Sequence, residues 1–371
     1  RSNGTRFLMR SILRRLSGLA LLLMLGTPAH AQPVRNPDAV AVIVGNRAYT
    51  DRDVPLVDYA HNDARAIERY VVDVLGFDRR NVVVVLDANR TALERALGNE
   101  RGAGSEMRRL LRPDGTSDLF VYYSGHGMPS RDGSKAILLP VDVAPASAEI
   151  DGLPLDVVRR HLETLPARSV TLVIDACFSG QSHKGALERG VSVPYRAATL
   201  PPASPRVTEL LATDAEQVAS WDEERRHGLF TEHFLRAVYG EADKPEYGGR
   251  GDGSIRLGAV KRYLDREMTY AAQRTWLRRQ TAVVRGGDDL LLATLSSGAR
   301  PVRPLRPLPP QALYVPLPSP AADRLNALAD PAQAEKALNL SQAERREVQV
   351  LLSYLGFSPN GIDGNFGPGT R

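Results

Sequence analysis

Two short motifs place a histidine and the chain's only cysteine at the ends of buried strands. Tyr-Tyr-Ser-Gly-His-Gly at positions 122–127 and Asp-Ala-Cys-Phe-Ser-Gly at positions 175–180 each follow an apolar run that is typical of a strand. In open α/β sheets, active sites form outside the carboxyl ends of the strands. A thiol reacts as its thiolate, and a nearby imidazole is the usual base that generates it. The motifs therefore predict a site in which His126 serves Cys177.

The surrounding sequence alternates strand and helix patterns. Continuous β-branched runs at Val40–Val44 and Val82–Leu86 read as buried strands, and apolar residues from Ala60 to Val74 follow helical spacing between them. Further strands are predicted at 119–121, 136–139, 170–174, 207–212 and 289–295, with helices near 91–111, 155–165, 230–239 and 257–270. Residues 181–206 are predicted to be irregular. This alternation predicts an α/β fold with a mostly parallel sheet and helices on both faces.

With these strands and this spacing, the two motifs resemble those of the caspase-like cysteine peptidases, and the metacaspase and paracaspase branch more than the animal caspases. The resemblance covers roughly residues 38–297 and includes Ala41–Asn46 at the first strand and Asn62-Asp63-Ala64 on the next helix. It implies a caspase-like three-layer sandwich with a mostly parallel central sheet. The 51 positions from His126 to Cys177 agree with the roughly 50 that are typical of caspases.

The resemblance also implies roles for the motif residues. Cys177 attacks the peptide carbonyl, and His126 acts as general base and then protonates the leaving amine. The oxyanion hole consists of the backbone N–H groups of Cys177 and Gly127. Glycines on both sides of His126 fit this role, because they let the backbone approach a substrate closely.

Substrate preference is predicted from Asp175. Animal caspases carry Gln at the matching place and bind an aspartate side chain, whereas metacaspases and paracaspases carry Asp and accept Arg or Lys before the scissile bond. By the same resemblance, Asp63 supplies a second acidic wall, and Asp58 is a competing candidate. Asp63 is also open to a plainer interpretation, since a carboxylate in the first turn of a helix is favoured by the helix dipole.

No cofactor or metal is predicted. Some metacaspases bind calcium at acidic positions outside the active site, and Asp142 and Asp151 approximate two of these positions. Lys184 falls where another acid is expected, so the calcium site is incomplete. The segment Gly251–Ile255 resembles part of a calcium loop, but the closing glutamate position falls on Ala259, which predicts a turn before a helix instead.

Four segments are predicted along the chain: a signal peptide at 1–31, a peptidase domain at 36–297, a linker at 298–322 and a partial C-terminal module at 330–371. The first has a basic start, an apolar run too short to span a bilayer and the cleavage pattern Ala29-His30-Ala31. The mature chain therefore carries no predicted transmembrane segment, and the protein is expected to be secreted, in the periplasm or associated with the cell wall.

The linker and the C-terminal module have distinct compositions. Eight of the 26 prolines lie between Pro301 and Pro320, which predicts a stiff, extended linker. Beyond it, the capping-box pattern Ser341–Glu344 and the later Ile362–Thr370 are similar to the start of the small helical peptidoglycan-binding repeat. Much of the net charge of +5 comes from arginines in the first 15 residues, so no nucleic-acid partner is predicted.

These observations together predict a secreted cysteine-type endopeptidase that cleaves peptides or proteins after Arg or Lys and is tethered to peptidoglycan. Two alternatives stay open: a catalytically silent caspase-fold binding or scaffold protein, and a hydrolase of peptidoglycan stem peptides. The stretch 181–206 carries several basic residues and is predicted to be a self-substrate.

Overall fold

A computed structural model describes residues 35–99, 105–187 and 196–295, together with positions 341, 342 and 345. The predicted signal peptide (1–31) and linker (298–322) lie outside the described residues, as does the C-terminal module (330–371) apart from those three positions. Within the described ranges, no helix is both long enough and apolar enough to cross a bilayer.

The central feature is a six-stranded sheet. Its members, in chain order, are β1 (Val40–Gly45), β2 (Val82–Leu86), β3 (Asp118–Ser124), β7 (Ser169–Asp175), β10 (Val207–Leu211) and β14 (Val283–Arg285). The spatial order is β14-β10-β7-β3-β1-β2, and every neighbouring pair is parallel except β10 and β14. The small strands are β4 (Gly127–Pro129), β5 (Ala136–Leu138), β6 (Leu153–Pro154), β8 (Gln181–Ser182), β9 (Gly185–Ala186), β11 (Trp221–Asp222), β12 (His227–Gly228), β13 (Ser254–Arg256) and β15 (Leu291–Thr294).

Helices cover both faces of this sheet. The α-helices are α1 (Ala60–Asp73), α2 (Arg90–Leu97), α3 (Glu106–Leu110), α4 (Ala148–Asp151), α5 (Leu155–Glu163), α6 (Leu229–Val238), α7 (Leu257–Tyr263) and α8 (Thr269–Trp276), and a π-helical turn, Leu264–Met268, joins the last two. Alternate residues of each strand enter different cores: Ala41 and Ile43 of β1 pack with α1, α6 and α7, whereas Val42 and Val44 pack with α2, α3 and α5. The period of two along a strand thus produces three layers.

The predicted fold class, a caspase-like α/β sandwich with a mostly parallel central sheet, is confirmed. Three details differ from the sequence predictions. The stretch 181–206 was expected to be wholly irregular, but its start forms the β8–β9 hairpin. The edge strand β14 was not predicted, since three residues give little periodicity, and β15 pairs with β13 outside the central sheet.

In the Gly251–Ile255 segment the chain bends at residues 251–253, whereas Ser254 and Ile255 belong to β13, which leads into α7. The buried carboxylate of Asp243 accepts hydrogen bonds from the N–H groups of Gly251 and Gly253, at 2.9 and 2.8 Å. The backbone N–H groups of this loop are therefore satisfied by a side-chain carboxylate of the protein itself.

Candidate active site

The register of the sheet brings the two motifs together. Ser124 at the end of β3 pairs with Asp175 at the end of β7, and these strands are parallel neighbours. His126 and Cys177 each follow two residues later, so both lie just beyond the same rung of the sheet. The equal offset explains why both pairs are separated by 51 positions along the chain.

The cysteine thiol is buried and already has a hydrogen-bond partner. The N–H of Ala219 donates to Sγ of Cys177 at 2.9 Å. Burial raises the pKa of the Cys177 thiol to about 12; the Ala219 N–H opposes that rise and the Asp175 carboxylate adds to it. In this conformation the Cys177 side chain is therefore a neutral thiol at pH 7.

Ala219 is held over the cysteine by the segment 212–220, called the strap here. Gln280 is fully buried and fastens both ends of the strap. Its Oε1 accepts from the N–H of Ser220 at 2.8 Å, and its Nε2 donates to the carbonyl of Ala212 at 3.2 Å. The approach of Ala219 to the thiol thus depends on a side chain just before β14.

The histidine is fixed through its ring and its main chain. Nε2 of His126 lies 2.7 Å from the carbonyl oxygen of Pro55, which requires the proton on Nε2 and leaves Nδ1 as the basic atom. The backbone N–H of His126 donates to the Tyr49 hydroxyl, and the backbone carbonyl of His126 accepts from the Tyr123 hydroxyl, both at 2.8 Å. Burial lowers the pKa of His126 to about 4, the Pro55 hydrogen bond opposes this, and Lys184 adds to it.

The backbone at Gly127 passes directly beside that of Cys177. A Cβ placed on Gly127 would lie 2.4 Å from the carbonyl oxygen of Cys177 and 2.7 Å from the ring of Phe178. Only glycine fits this approach. The two backbone segments from which the resemblance draws its oxyanion donors are therefore adjacent.

Two buried carboxylates, Asp63 and Asp175, line the same pocket and are called the acidic pair here. Their exposed fractions are 1% and 7%. They approach each other across Gly228, where a Cβ would lie 2.2 Å from Oδ2 of Asp175 and 3.3 Å from Oδ2 of Asp63. Burial, and then the charge of Asp63, raise the pKa of the Asp175 carboxyl to about 7.

Asp175 is supported from helix α6. Its Oδ2 accepts from the N–H of Thr231 at 3.2 Å and from the Thr231 hydroxyl at 2.6 Å. Because that hydroxyl has a single proton, the Tyr122 hydroxyl, 2.6 Å away, donates to it in turn. The chain of donors from Tyr122 through Thr231 ends on the carboxylate.

Asp63 is supported by donors from two strands, β3 and β12. Its Oδ1 lies 2.8 Å from Nδ1 of His227, its Oδ2 accepts from the Ser124 hydroxyl at 3.1 Å, and the N–H of Gly228 lies 3.1 and 3.2 Å from the two oxygens. Although Asp63 stands in the first turn of α1, its carboxylate is hydrogen-bonded to these groups across the pocket.

Asp58 has a different environment. The Asp58 carboxylate forms a salt bridge with Lys184 of the β8–β9 hairpin at 2.9 Å, and about a third of the Asp58 side chain is exposed. Asp58 is absent from the residues that line the pocket, whereas Asp63 and Asp175 are among them. The structure therefore groups Asp63, and not Asp58, with Asp175.

The four central side chains, Cys177, His126, Asp63 and Asp175, line one pocket. Trp221 and His183 also line the pocket, and their rings stack with centroids 4.5 Å apart. A thiol, an imidazole and two carboxylates thus share one opening.

The family follows from comparison with known proteins. A sequence model of the Peptidase_C14 family, described as the caspase domain, matches residues 38–249, more than half of the 371 residues. The chain belongs to the caspase-domain family. The family is one of cysteine peptidases.

Individual proteins are similar to this chain over different lengths. Metacaspase-7 of Arabidopsis thaliana is 31% identical over 129 residues, which cover 32% of this chain and 30% of that protein. The chain thus spans less than a third of the length of this relative. The crystal structure of caspase-1 from Spodoptera frugiperda matches with a TM-score of 0.42 and 13% identity, over 72% of this chain and 93% of that one.

Sequence reasoning about the caspase domain missed several residues that hydrogen-bond to the residues lining the pocket. They are His227, Thr231, Tyr49 and Pro55, none of which was predicted. One signal was present: Asp63 occupies an apolar position of the α1 repeat, whose buried face includes Ala60, Ala64, Ile67 and Val71. A carboxylate at such a position needs buried partners.

The acidic positions considered for calcium are engaged by the protein. The carboxylate of Asp142 accepts from the N–H of Arg90 at 2.7 Å, and Asp151 forms an ion pair with the Arg90 guanidinium. Across the described ranges, no group of three or more His, Cys, Asp or Glu side chains is arranged to hold a metal ion.

Proposed function

We propose that the protein is a cysteine-type endopeptidase that cleaves after Arg or Lys, with Cys177 as nucleophile and His126 as general base. The observation that carries the proposal is the acidic pair: two buried carboxylates line the same pocket as a cysteine and a histidine. A cationic side chain before the scissile bond would place its charge at this pair and its carbonyl near the thiol.

The base in the proposed reaction is Nδ1 of His126. The hydrogen bond from Nε2 to the carbonyl of Pro55 orients the ring and supports positive charge on it once Nδ1 has taken the thiol proton. The sulfur then attacks the peptide carbonyl, and the same proton passes to the leaving amine as the bond to carbon breaks. Water completes the cycle by hydrolysing the acyl-enzyme.

In this proposal, backbone N–H groups stabilise the negative charge that develops on the carbonyl oxygen by donating hydrogen bonds to it. Gly127 and Cys177 are the proposed donors, and the close approach of their main chains supports that assignment. Removing one such donor typically lowers kcat by about a hundredfold to a thousandfold.

Specificity in this proposal rests on the charge of two buried carboxylates. An arginine side chain beside Asp175 and Asp63 forms charge-assisted hydrogen bonds, whereas an aspartate there meets like charge. The sequence also supports action outside the cytoplasm, in the periplasm or at the cell wall, on peptide or protein substrates; the leader and the peptidoglycan-binding-like module that suggest it lie outside the described residues.

A panel of fluorogenic peptides that differ only in the residue before the scissile bond tests the proposal. We expect kcat/KM for Arg and Lys to exceed that for Asp at least about a hundredfold, which corresponds to roughly 2.7 kcal/mol. Cleavage after Asp as readily as after Arg would show that the acidic pair is structural.

One observation favours the second candidate, a silent scaffold. The thiol is buried, capped by the N–H of Ala219 and neutral at pH 7 in this conformation. An electrophilic peptide with Arg at its reactive end separates the candidates: rapid, stoichiometric labelling of Cys177 shows that the strap yields to substrate, whereas slow labelling equal to that of a scrambled peptide supports the scaffold.

A further inference from the structure

His227 lies where the β11–β12 hairpin contacts helix α1, and it takes no direct part in the proposed reaction. It is 2% exposed, although it stands on a two-residue strand of the short β11–β12 hairpin. Its Nδ1 lies 2.8 Å from Oδ1 of Asp63, 164 positions away along the chain. A carboxylate only accepts hydrogen bonds, so this contact requires the proton on Nδ1.

The hairpin docks on helix α1 through two consecutive contacts. Asn62 donates from Nδ2 to the carbonyl of Arg226 at 3.0 Å, and the next residue, Asp63, meets the next residue, His227. The following residue, Gly228, donates its N–H to the same carboxylate. Three successive hairpin residues thus fix the position of one turn of α1.

The two members of the acidic pair are held in different ways. Both oxygens of Asp63 accept hydrogen bonds, whereas the hydrogen bonds to Asp175 in the described residues all go to Oδ2. Oδ1 of Asp175 is therefore the atom available to a substrate cation, and Asp63 acts by holding a second negative charge in a fixed place.

We propose that His227 is a positioning residue for specificity: by donating from Nδ1 it fixes the Asp63 carboxylate, and with it the charge that selects a cationic side chain before the scissile bond. The inference rests on the proposed function. Without the donor, one oxygen of a buried carboxylate loses its shortest hydrogen bond, and the carboxylate is free to rotate. That rotation weakens the binding of cations in the pocket and leaves the thiol chemistry in place.

The experiment compares three enzymes on two substrates. The enzymes are the wild type, His227→Leu, which has no donor, and His227→Asn, whose side-chain amide reaches the same region as Nδ1. The substrates are identical peptides with Arg or with citrulline, the neutral isostere, before the scissile bond. His161→Asn is the control, because His161 is also a buried histidine, bonded to Ser105 at 2.8 Å and absent from the pocket.

In His227→Leu we expect KM for the Arg peptide to rise roughly tenfold to a hundredfold, with kcat changed less than about threefold. The citrulline peptide should change little. His227→Asn should restore most of the Arg preference, and His161→Asn should keep it entirely.

The outcomes separate the two proposals. A wild type that shows no preference for Arg over citrulline refutes the proposed specificity, and His227 has then nothing to position. A wild type that prefers Arg, with an undiminished preference in His227→Leu, refutes the role of His227 alone. If His227→Leu does not fold, His227→Ala takes its place, and equal loss of preference in His227→Ala and His227→Asn also contradicts the inference.

Discussion

Replacing Asp175 by Asn should remove most of the preference for Arg and stabilise the protein at the same time. Asparagine has the same shape, and its carbonyl oxygen can accept the two hydrogen bonds that Thr231 now donates to Oδ2. The remaining position becomes an NH2 group that faces the pocket. An acceptor for a substrate cation is thereby replaced by a donor that repels it, without a change in volume.

The loss in activity follows from the charge. Two opposite unit charges about 4 Å apart, at an effective dielectric constant near 20, attract each other with an energy of about 4 kcal/mol. Truncating one partner of a buried charge pair lowers the binding free energy by about 2–5 kcal/mol. Because burial and the charge of Asp63 raise the pKa of Asp175 to about 7, deprotonating it at pH 7 costs well under about 1 kcal/mol. We therefore expect kcat/KM for an Arg peptide to fall at least about a hundredfold.

The gain in stability follows from the same pKa. The unfolded chain releases the Asp175 proton near its ordinary pKa of 3.8, whereas the native state keeps it up to about pH 7. Stability therefore falls as pH rises from about 4 to 7, by up to about 4 kcal/mol for three pKa units, and stays low above that range. Asp175→Asn carries no such proton and should be more stable than the wild type at pH 8, but not at pH 4.

Two measurements test this reasoning. Denaturant unfolding at pH 4 and pH 8 gives the stability difference, and the Arg-to-citrulline ratio of kcat/KM gives the specificity. Labelling of Cys177 by a small, uncharged alkylator should be no slower in the variant, because a carboxylate that raises the thiol pKa has been removed. A variant that is less stable than the wild type at pH 8, with an unchanged ratio, would refute the buried acidic pair as the source of selectivity.

Three further predictions concern catalysis, pH and metal. Cys177→Ala and His126→Ala should each lower kcat/KM by about a thousandfold or more, and the double variant should be little worse, because the two act as a unit; retained turnover in Cys177→Ala would exclude it as the nucleophile. Between pH 5 and 7, kcat/KM for an Arg peptide should rise about tenfold per unit as Asp175 ionises, while a citrulline peptide gives a flat profile because the pKa of His126 is lowered to about 4; parallel profiles would contradict this. Treatment with EDTA, or added calcium, should change activity less than about twofold, because Asp151 is paired with Arg90; a strong calcium requirement would show that this ion pair opens.

The central sheet and the place of the two motifs at the strand ends could be predicted because both depend on short, continuous stretches of sequence. Val40–Gly45 and Val82–Leu86 are continuous β-branched runs, and the motifs directly follow strands whose register places their ends together. The support of the acidic pair was not predicted, because it depends on contacts between distant segments. His227 reaches Asp63 only after the β11–β12 hairpin has docked on α1, and no spacing in the chain encodes that docking.

The choice between Asp58 and Asp63 shows the same limit. Both carboxylates lie near the start of α1, and helical periodicity alone places only Asp63 on the buried face. The ion pair between Asp58 and Lys184 joins segments 126 positions apart, so it emerges only from the folded structure.

The parallel pairing of β7 with β10 has a consequence for how the chain could be divided. The first half of the caspase domain contributes His126, Cys177 and the acidic pair, whereas the half that begins at β10 contributes the strap, His227 and the edge strand. The two halves share five rungs of main-chain pairing, from Val170–Val207 to Ile174–Leu211, and both hydrophobic cores. Separately expressed halves, divided within residues 188–195, should therefore reassemble by fragment complementation, and turnover should depend on the concentration of the scarcer half.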